Sequence, residues 1–303
     1  MVEIPCPVCS SEERVPLLTG ADHIHEAHGG FTLVKCAACG LVYLCPRPGP
    51  DEMSAHYGED YRAWQSVPAK GLLARFRAMG VKRKVDAVAS QFPAGRLLDV
   101  GCGYGDFLAG ARQSGFEACG TELDPGQAER AAQASGAEVR AGDLETCGFE
   151  PESFGVITMW HVLEHLPDPL GALRSARELL KPGGMVVVAV PDAGSWAARL
   201  FRGYWAGYDM PRHLTDFSSE TLEDVLSRSG FQPVSRSYFM GTFDNVRIST
   251  EFLIKGKTRP GTVRSLLLAL AGNPLTRLLF TPLALALQRL GKGTVVTCFA
   301  RRA

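Results

Sequence analysis

The spacing of apolar residues changes period several times along the chain. Over 71–92, Leu72, Phe76 and Met79, then Val81, Val85, Val88 and Phe92, recur mostly three or four apart, which predicts an amphipathic helix. Beyond it, short apolar runs alternate with helical patterns. The runs starting at Arg96, Phe116, Ala137, Ser153 and Met185 predict strands; 106–114, 126–135 and 173–180 predict the helices between them. Strands alternating with helices indicate an α/β fold with a parallel sheet. Further on, 219–229 reads as a helix, 232–240 as a strand and 294–301 as the last strand. Between those last two strands lie two apolar helical pieces, starting at Ser265 and Leu279 and interrupted by Pro274 and Pro282.

The N-terminal part has a different texture. Strand-like 31–34 and 41–44 sit among glycine-bearing turns, and Pro46-Arg47-Pro48-Gly49-Pro50 is a linker by composition. Residues 51–61 read as a short helix. The division expected is therefore 1–48, a small β domain; 49–93, linker and amphipathic helix; and 94–303, the α/β domain, with an apolar helical insertion at about 243–292.

Two stretches carry chemistry. In Leu97-Leu98-Asp99-Val100-Gly101-Cys102-Gly103-Tyr104-Gly105-Asp106 an apolar run ends in a carboxylate, and three alternating glycines lead into a helix. Glycine lets such a loop turn sharply and approach a ligand, and a helix N-terminus adds free N–H groups and partial positive charge. The third glycine comes one place too early for Gly-x-Gly-x-x-Gly, which argues against a dinucleotide site. In the N-terminal part, Cys6-Pro7-Val8-Cys9 and Cys36-Ala37-Ala38-Cys39 are two Cys-x-x-Cys pairs. Two such knuckles complete a tetrahedral four-thiolate site, so Cys6, Cys9, Cys36 and Cys39 are expected to hold a structural zinc in a zinc ribbon. His23, His25 and His28, in the loop between, read as solvated residues or part of a substrate lid.

Composition narrows the partners. At 46% hydrophobic and 21% charged residues the chain is ordinary for a globular protein, and its net charge is zero. A chain devoted to nucleic acid is usually basic. The first residues lack the pattern of a signal peptide and no apolar run reaches about 20 residues, so a cytoplasmic location is expected. The basic side of 71–92 (Arg75, Arg77, Lys82, Arg83, Lys84) reads as a solvated face, the sharper alternative being contact with an anionic substrate, lipid headgroup or RNA phosphate. The apolar insertion reads as a core or dimer helix pair. Its alternative is peripheral contact with the inner face of a membrane through 263–290, using Arg264, Arg277 and Arg289.

Asp99-x-Gly101-x-Gly103-x-Gly105 resembles motif I of the class I S-adenosylmethionine (SAM)-dependent methyltransferases. The run Trp160-His161-Val162-Leu163-Glu164-His165-Leu166-Pro167-Asp168-Pro169 resembles the ubiquinone-biosynthesis-like members, as does Leu180-Lys181-Pro182-Gly183-Gly184 before a strand. The resemblance covers about 96–231 and the final strand. It implies a Rossmann-like seven-stranded sheet with the last strand antiparallel. Cofactor contacts are expected from Asp99, Gly101, Cys102, Gly103 and Gly105, from Glu122 at the ribose, from Asp143 at the adenine, from His161 at the methionine end, and from Leu123 and Leu144. Asp143 as a turn cap is the alternative. The stretch 195–217 is expected to form the acceptor pocket, with His213, His161 and Tyr208 as candidate catalytic residues; simple packing of its aromatics is the alternative. With a zinc ribbon added, the chain resembles sugar C-methyltransferases and a ribosomal RNA methyltransferase. The acceptor expected is a small molecule, a nucleotide sugar or a lipid-linked precursor, with RNA methylation or non-catalytic SAM binding as alternatives, in a monomer or homodimer.

Overall fold

The computed structural model describes residues 1–25, 27–57 and 71–303. The last part of the short helix expected over 51–61 lies outside these residues. What is described is a turn of helix, α1 (Pro50–Met53), continuing as a 3-10 turn over Ser54–Tyr57. The chain divides into two compact units that cross the boundaries expected from composition: 1–67, 191–221 and 237–296 form one, and 68–190, 222–236 and 297–303 the other.

The second unit is built on a seven-stranded sheet. Its helix α2 (Leu72–Gln91) precedes β4 (Gly95–Val100), α3 (Asp106–Gln113), β5 (Phe116–Glu122), α4 (Pro125–Ser135), β6 (Glu138–Ala141), β7 (Phe154–Trp160), α5 (Pro169–Leu179) and β8 (Leu180–Pro191). After α7 (Ser219–Arg228) come β10 (Phe231–Ser237) and finally β11 (Val295–Arg302). The strand order is β10-β11-β8-β7-β4-β5-β6, with β4, β5, β6, β7 and β8 paired in parallel. Every residue of β7 is buried, as a central parallel strand covered on both faces requires, whereas β6 at the edge has no buried residue. Lys181-Pro182-Gly183-Gly184 sits inside β8 as an irregularity between Leu180 and Met185. The Asp124 side chain caps α4 by accepting from the Gln127 N–H at 2.7 Å, with Pro125 in the first turn. A side chain at Gly155 would meet the Phe92 ring at 2.5 Å, so glycine there is a packing requirement.

The first unit holds a four-stranded sheet, β1 (Arg14–Asp22), β2 (Ala27–Cys36), β3 (Val42–Leu44) and β9 (Thr215–Asp216), in that order and antiparallel. Beside it lies α6 (Trp196–Phe201). Its core joins ribbon residues Phe31, Leu33 and Leu44 to Phe201, Trp205, Tyr208 and Leu214. The insertion is three helices, α8 (Thr242–Lys257), α9 (Thr262–Gly272) and α10 (Pro274–Arg289). Helix α8 is fastened by Trp205 Nε1 donating to Asn245 Oδ1 at 2.6 Å and by the Ala206 N–H donating to Ser249 Oγ at 2.9 Å. Pro274 starts α10 behind an Asn273 cap, while Pro282, expected to interrupt, lies inside that helix. Among the described residues, no single helix is long and apolar enough to cross a membrane.

Candidate functional site

The glycine loop follows β4 directly. Gly101, Gly103 and Gly105 all have positive φ, at 64°, 58° and 78°. This is a backbone region that residues with a Cβ rarely enter. At Gly101 a Cβ would meet Val162 Cγ2 at 2.8 Å, and at Gly105 the Ala131 carbonyl oxygen at 2.8 Å. At Gly103 nothing lies within 4 Å of a Cβ position, so this part of the loop presents bare backbone to open space. The Cys102 side chain is buried and packs beside Gly120, which leaves its backbone, not its thiol, on the ligand side.

The expected contacts converge at the carboxyl ends of neighbouring strands. Glu122 Oε2 accepts from the Gly103 N–H at 3.0 Å, and Oε1 from the Leu123 N–H at 2.9 Å. The Gly142 N–H donates to the Glu122 carbonyl at 2.9 Å, which sets Asp143 beside it. Asp143 Oδ1 accepts from the N–H groups of Glu145 and Thr146 and from the Thr146 hydroxyl, at 2.8–3.0 Å. One oxygen of Asp143 is thus a turn cap, and these bonds hold its carboxyl below the usual range. Leu123 is exposed and Leu144 is buried. His161 follows β7 with φ at 59°, held by its N–H donating to the Ala189 carbonyl at 2.9 Å. Its ring Nδ1 lies 3.2 Å from Glu164 Oε1. A carboxylate only accepts, so Nδ1 carries the hydrogen and Nε2 is the basic nitrogen of the neutral ring.

A cavity of about 370 Å³ opens on the loop, lined by Arg77, Lys84, Asp99, Gly103, Tyr104 and Trp160 among others. Reading the basic side of α2 as a solvated face is corrected here for Lys84; Arg77 is exposed but borders the same cavity. Arg77, Gly80, Val81 and Lys84 recur at helical spacing and face the cavity. Arg77 bonds Asp106 in the first turn of α3 at 2.7 Å, and Lys84 Nζ lies 4.9 Å from the Trp160 ring centroid. Lys82, on another side, pairs with Asp86. The periodicity was visible in the sequence, but not which face the fold would cover. Asp99 is 2% exposed and accepts from the Thr158 hydroxyl at 2.6 Å. Burial pushes its carboxyl up to about 7, against the pull of Thr158 and of the Lys84 charge.

The other expected catalytic residues belong to the first unit. Tyr208 is 4% exposed, packs edge-to-face on Trp205 at 4.7 Å, and has its phenol pushed up by burial and by Asp216. His213 is buried with Nδ1 2.7 Å from the Gly207 carbonyl, so Nδ1 donates and Nε2 is the basic nitrogen. Much of the aromatic stretch packs as a core, as the plainer reading held.

Sequence reasoning placed Arg212 in the acceptor stretch but missed Asp22 and the pairing of the two, both fully buried. The guanidinium grips both carboxylate oxygens at 2.9 Å and also bonds Asp209. His25 and His56 place Nδ1 at 2.9 and 3.1 Å from Asp22 Oδ2. His25 is therefore an anchored residue rather than a solvated one, and His23 Nε2 likewise lies 2.8 Å from the Gly203 carbonyl. The side chain of His28 lies outside what is described. No local pattern could have revealed a pair 190 positions apart.

The four expected metal ligands do meet. The sulfurs of Cys6, Cys9, Cys36 and Cys39 all lie within 4.8 Å of one another, with Cys6–Cys39 and Cys9–Cys36 at 3.5 Å. Tetrahedral zinc–thiolate bonds of about 2.3 Å need sulfurs about 3.8 Å apart, so the set fits zinc. Both knuckles close alike: the N–H of Ser10 donates to the Cys6 carbonyl and that of Gly40 to the Cys36 carbonyl, each from positive φ.

A family described as a methyltransferase domain matches residues 73–236, more than half of the chain. The chain belongs to that family. Its seven-stranded sheet is that of the class I SAM-dependent methyltransferases. The ubiquinone biosynthesis O-methyltransferase of Cereibacter sphaeroides is 32% identical over 152 residues, covering 46% of this chain and 62% of that protein. The protein of the same name from Ruegeria pomeroyi is 32% identical over 156 residues, covering 48% and 63%. The chain thus spans a little under two thirds of these relatives. A geranyl diphosphate methyltransferase solved in complex with SAM is 16% identical, with a TM-score of 0.52 over 80% of this chain and 95% of that one. A SAM-dependent methyltransferase from Thermotoga maritima is 20% identical, with a TM-score of 0.50 over the same shares. These two likenesses concern the fold.

Proposed function

We propose that this protein is a SAM-dependent methyltransferase of a small-molecule acceptor, with a structural zinc in its N-terminal ribbon. The observation that carries the reading is the open backbone at Gly103, with the Glu122 carboxylate already bonded to its N–H. Glu122 is the residue to receive the ribose hydroxyls, Leu123 and Leu144 to flank the adenine, and Asp143 to meet its amino group. Lys84 is the cation of the cavity that can meet the methionine carboxylate, Arg77 being bonded to Asp106. When bound, SAM supplies a methyl group on a sulfonium, whose departure as a neutral thioether drives transfer. The chain's task is to hold the acceptor in line, which alone accounts for much of such a rate.

The named relatives methylate oxygen, and a hydroxyl acceptor needs a group to take its proton. In each of His161 and His213 Nδ1 faces an oxygen acceptor, while burial makes Tyr208 hold its proton more tightly. The proton acceptor we assign is a histidine, His161 after β7, with His213 of the first unit as the second candidate. Neutral net charge favours a sugar or lipid-linked precursor over RNA. C-methylation of a keto sugar needs the same base.

Gly103→Arg should fill the open space and weaken S-adenosylhomocysteine binding by about 100-fold or more in calorimetry; unchanged affinity refutes the cofactor assignment. Methyl transfer from labelled SAM, screened against nucleotide sugars, prenylated phenols and ribosomal RNA, identifies the acceptor. Transfer to RNA alone overturns the small-molecule reading, and binding without transfer to any of them overturns the catalytic one. Zinc should measure about one per chain and be lost in Cys36→Ser, with loss of the ribbon's cooperative melting. A metal-free protein that melts normally refutes the metal assignment.

A further inference from the structure

The helical insertion lies outside the segment that matches the family, so the family does not account for it. In α9, Val263, Leu266 and Leu270 are 70%, 60% and 54% exposed; in α10, Leu275, Leu279 and Leu283 are 71%, 75% and 55% exposed. These positions follow three- and four-residue spacing, the stripe that a helix normally turns to a core. Neither helix has a buried residue, so the pair is not a core element. Large contiguous apolar faces of this kind mark interaction surfaces.

Charge selects the occupant. No Asp or Glu occurs after Glu251, and the same stretch carries Lys257, Arg259, Arg289 and Lys292, all exposed. Arg277 is spoken for, since it grips Asp244 of α8 at 2.8 and 3.2 Å and so ties α10 down. An apolar stripe flanked by cations alone fits an anionic bilayer, where the leucines enter the acyl boundary and the cations meet phosphate. A self-associating face would set these cations close to their own copies. Beneath the same helices a cavity of about 250 Å³ is lined by Trp196, Phe243, Val246, Phe280, Leu283 and Leu287, apolar room of a kind that suits an alkyl chain. The two helices together have the length and composition of a span, but meet at a bend of 54°, which suits lying on the surface better than crossing it.

We infer that α9 and α10 dock this protein onto an anionic membrane surface. The inference does not depend on the acceptor. The test is co-sedimentation of the full chain with vesicles of phosphatidylcholine, with and without phosphatidylglycerol. Binding should require the anionic lipid and weaken with salt. Leu275→Glu with Leu279→Glu should reduce it about tenfold or more, and Arg289→Gln with Lys292→Gln should weaken it while leaving the apolar stripe intact. S-adenosylhomocysteine binding should stay unchanged in both variants, which separates this result from failure of the cofactor reading. The inference is overturned if the wild type ignores anionic vesicles, if the glutamate variant binds as well as the wild type, or if ultracentrifugation shows a dimer that the glutamate variant splits.

Discussion

Two buried aspartates, one in each compact unit, meet opposite electrostatic conditions. Asp22 is gripped through both oxygens by the buried Arg212 guanidinium and touched by two histidines. Asp99 has the Thr158 hydroxyl and a more distant Lys84 charge. Burial raises both carboxyls. At Asp22 the guanidinium and the histidines outweigh it and hold the group well below the usual carboxylate range. At Asp99 burial wins, and the group rises to about 7. The difference separates two uses of a buried acid. Paired, it is a charged anchor between segments far apart in sequence. Weakly paired at a ligand cavity, it is a group near its titration point, bonded across to Thr158 on the neighbouring strand.

The comparison breaks most visibly at the anchor. Asp22→Asn should cost about 3–5 kcal/mol, since it removes the bidentate partner of a buried guanidinium and leaves Asp209 as its remaining carboxylate. Urea unfolding followed through Trp196 and Trp205, in the same unit, measures it, and a change below about 1 kcal/mol would sink the anchor reading. The sign with pH follows. A lowered carboxyl lends stability that is present above the unfolded value near 3.9 and is lost as pH falls. Asp99 has the reverse sign. A raised carboxyl lends stability that is full below about 3.9 and is lost as pH rises through about 7. Asp99→Asn should therefore flatten the stability profile between about pH 4 and 7; an unchanged slope refutes the shift. Thr158→Val should act least, moving that midpoint somewhat above 7 because the donor to the charged form is gone. A downward movement in that variant would mean that the hydroxyl does not favour the charged form.

The parts of the site that were legible in the sequence are those whose requirements are local. Three positive-φ positions in five residues demand glycine, and two knuckles of identical geometry demand Cys-x-x-Cys. Glu122 was readable because parallel β4 and β5 set it beside the loop at a fixed offset. The side of α2 that lines the cavity was not readable, because a helical period defines faces without saying which one the fold covers. Tyr208 and the aromatics around it were readable as a cluster, but packing against Phe31, Leu33 and Leu44, far back in the chain, made much of that cluster a core.

The sequence by itself determined the α/β class, the glycine loop, the four-thiol set and an apolar insertion, because each is written in backbone needs or short spacings that no partner alters. Only the tertiary structure decided that residues 191–221 and the insertion belong with the ribbon, that Arg77 and Lys84 line the cavity, that α9 and α10 leave their leucines exposed, and that Asp22 finds Arg212. Burial and the pairing of charges are properties of what surrounds a residue, and here those surroundings come from segments as much as 190 positions away.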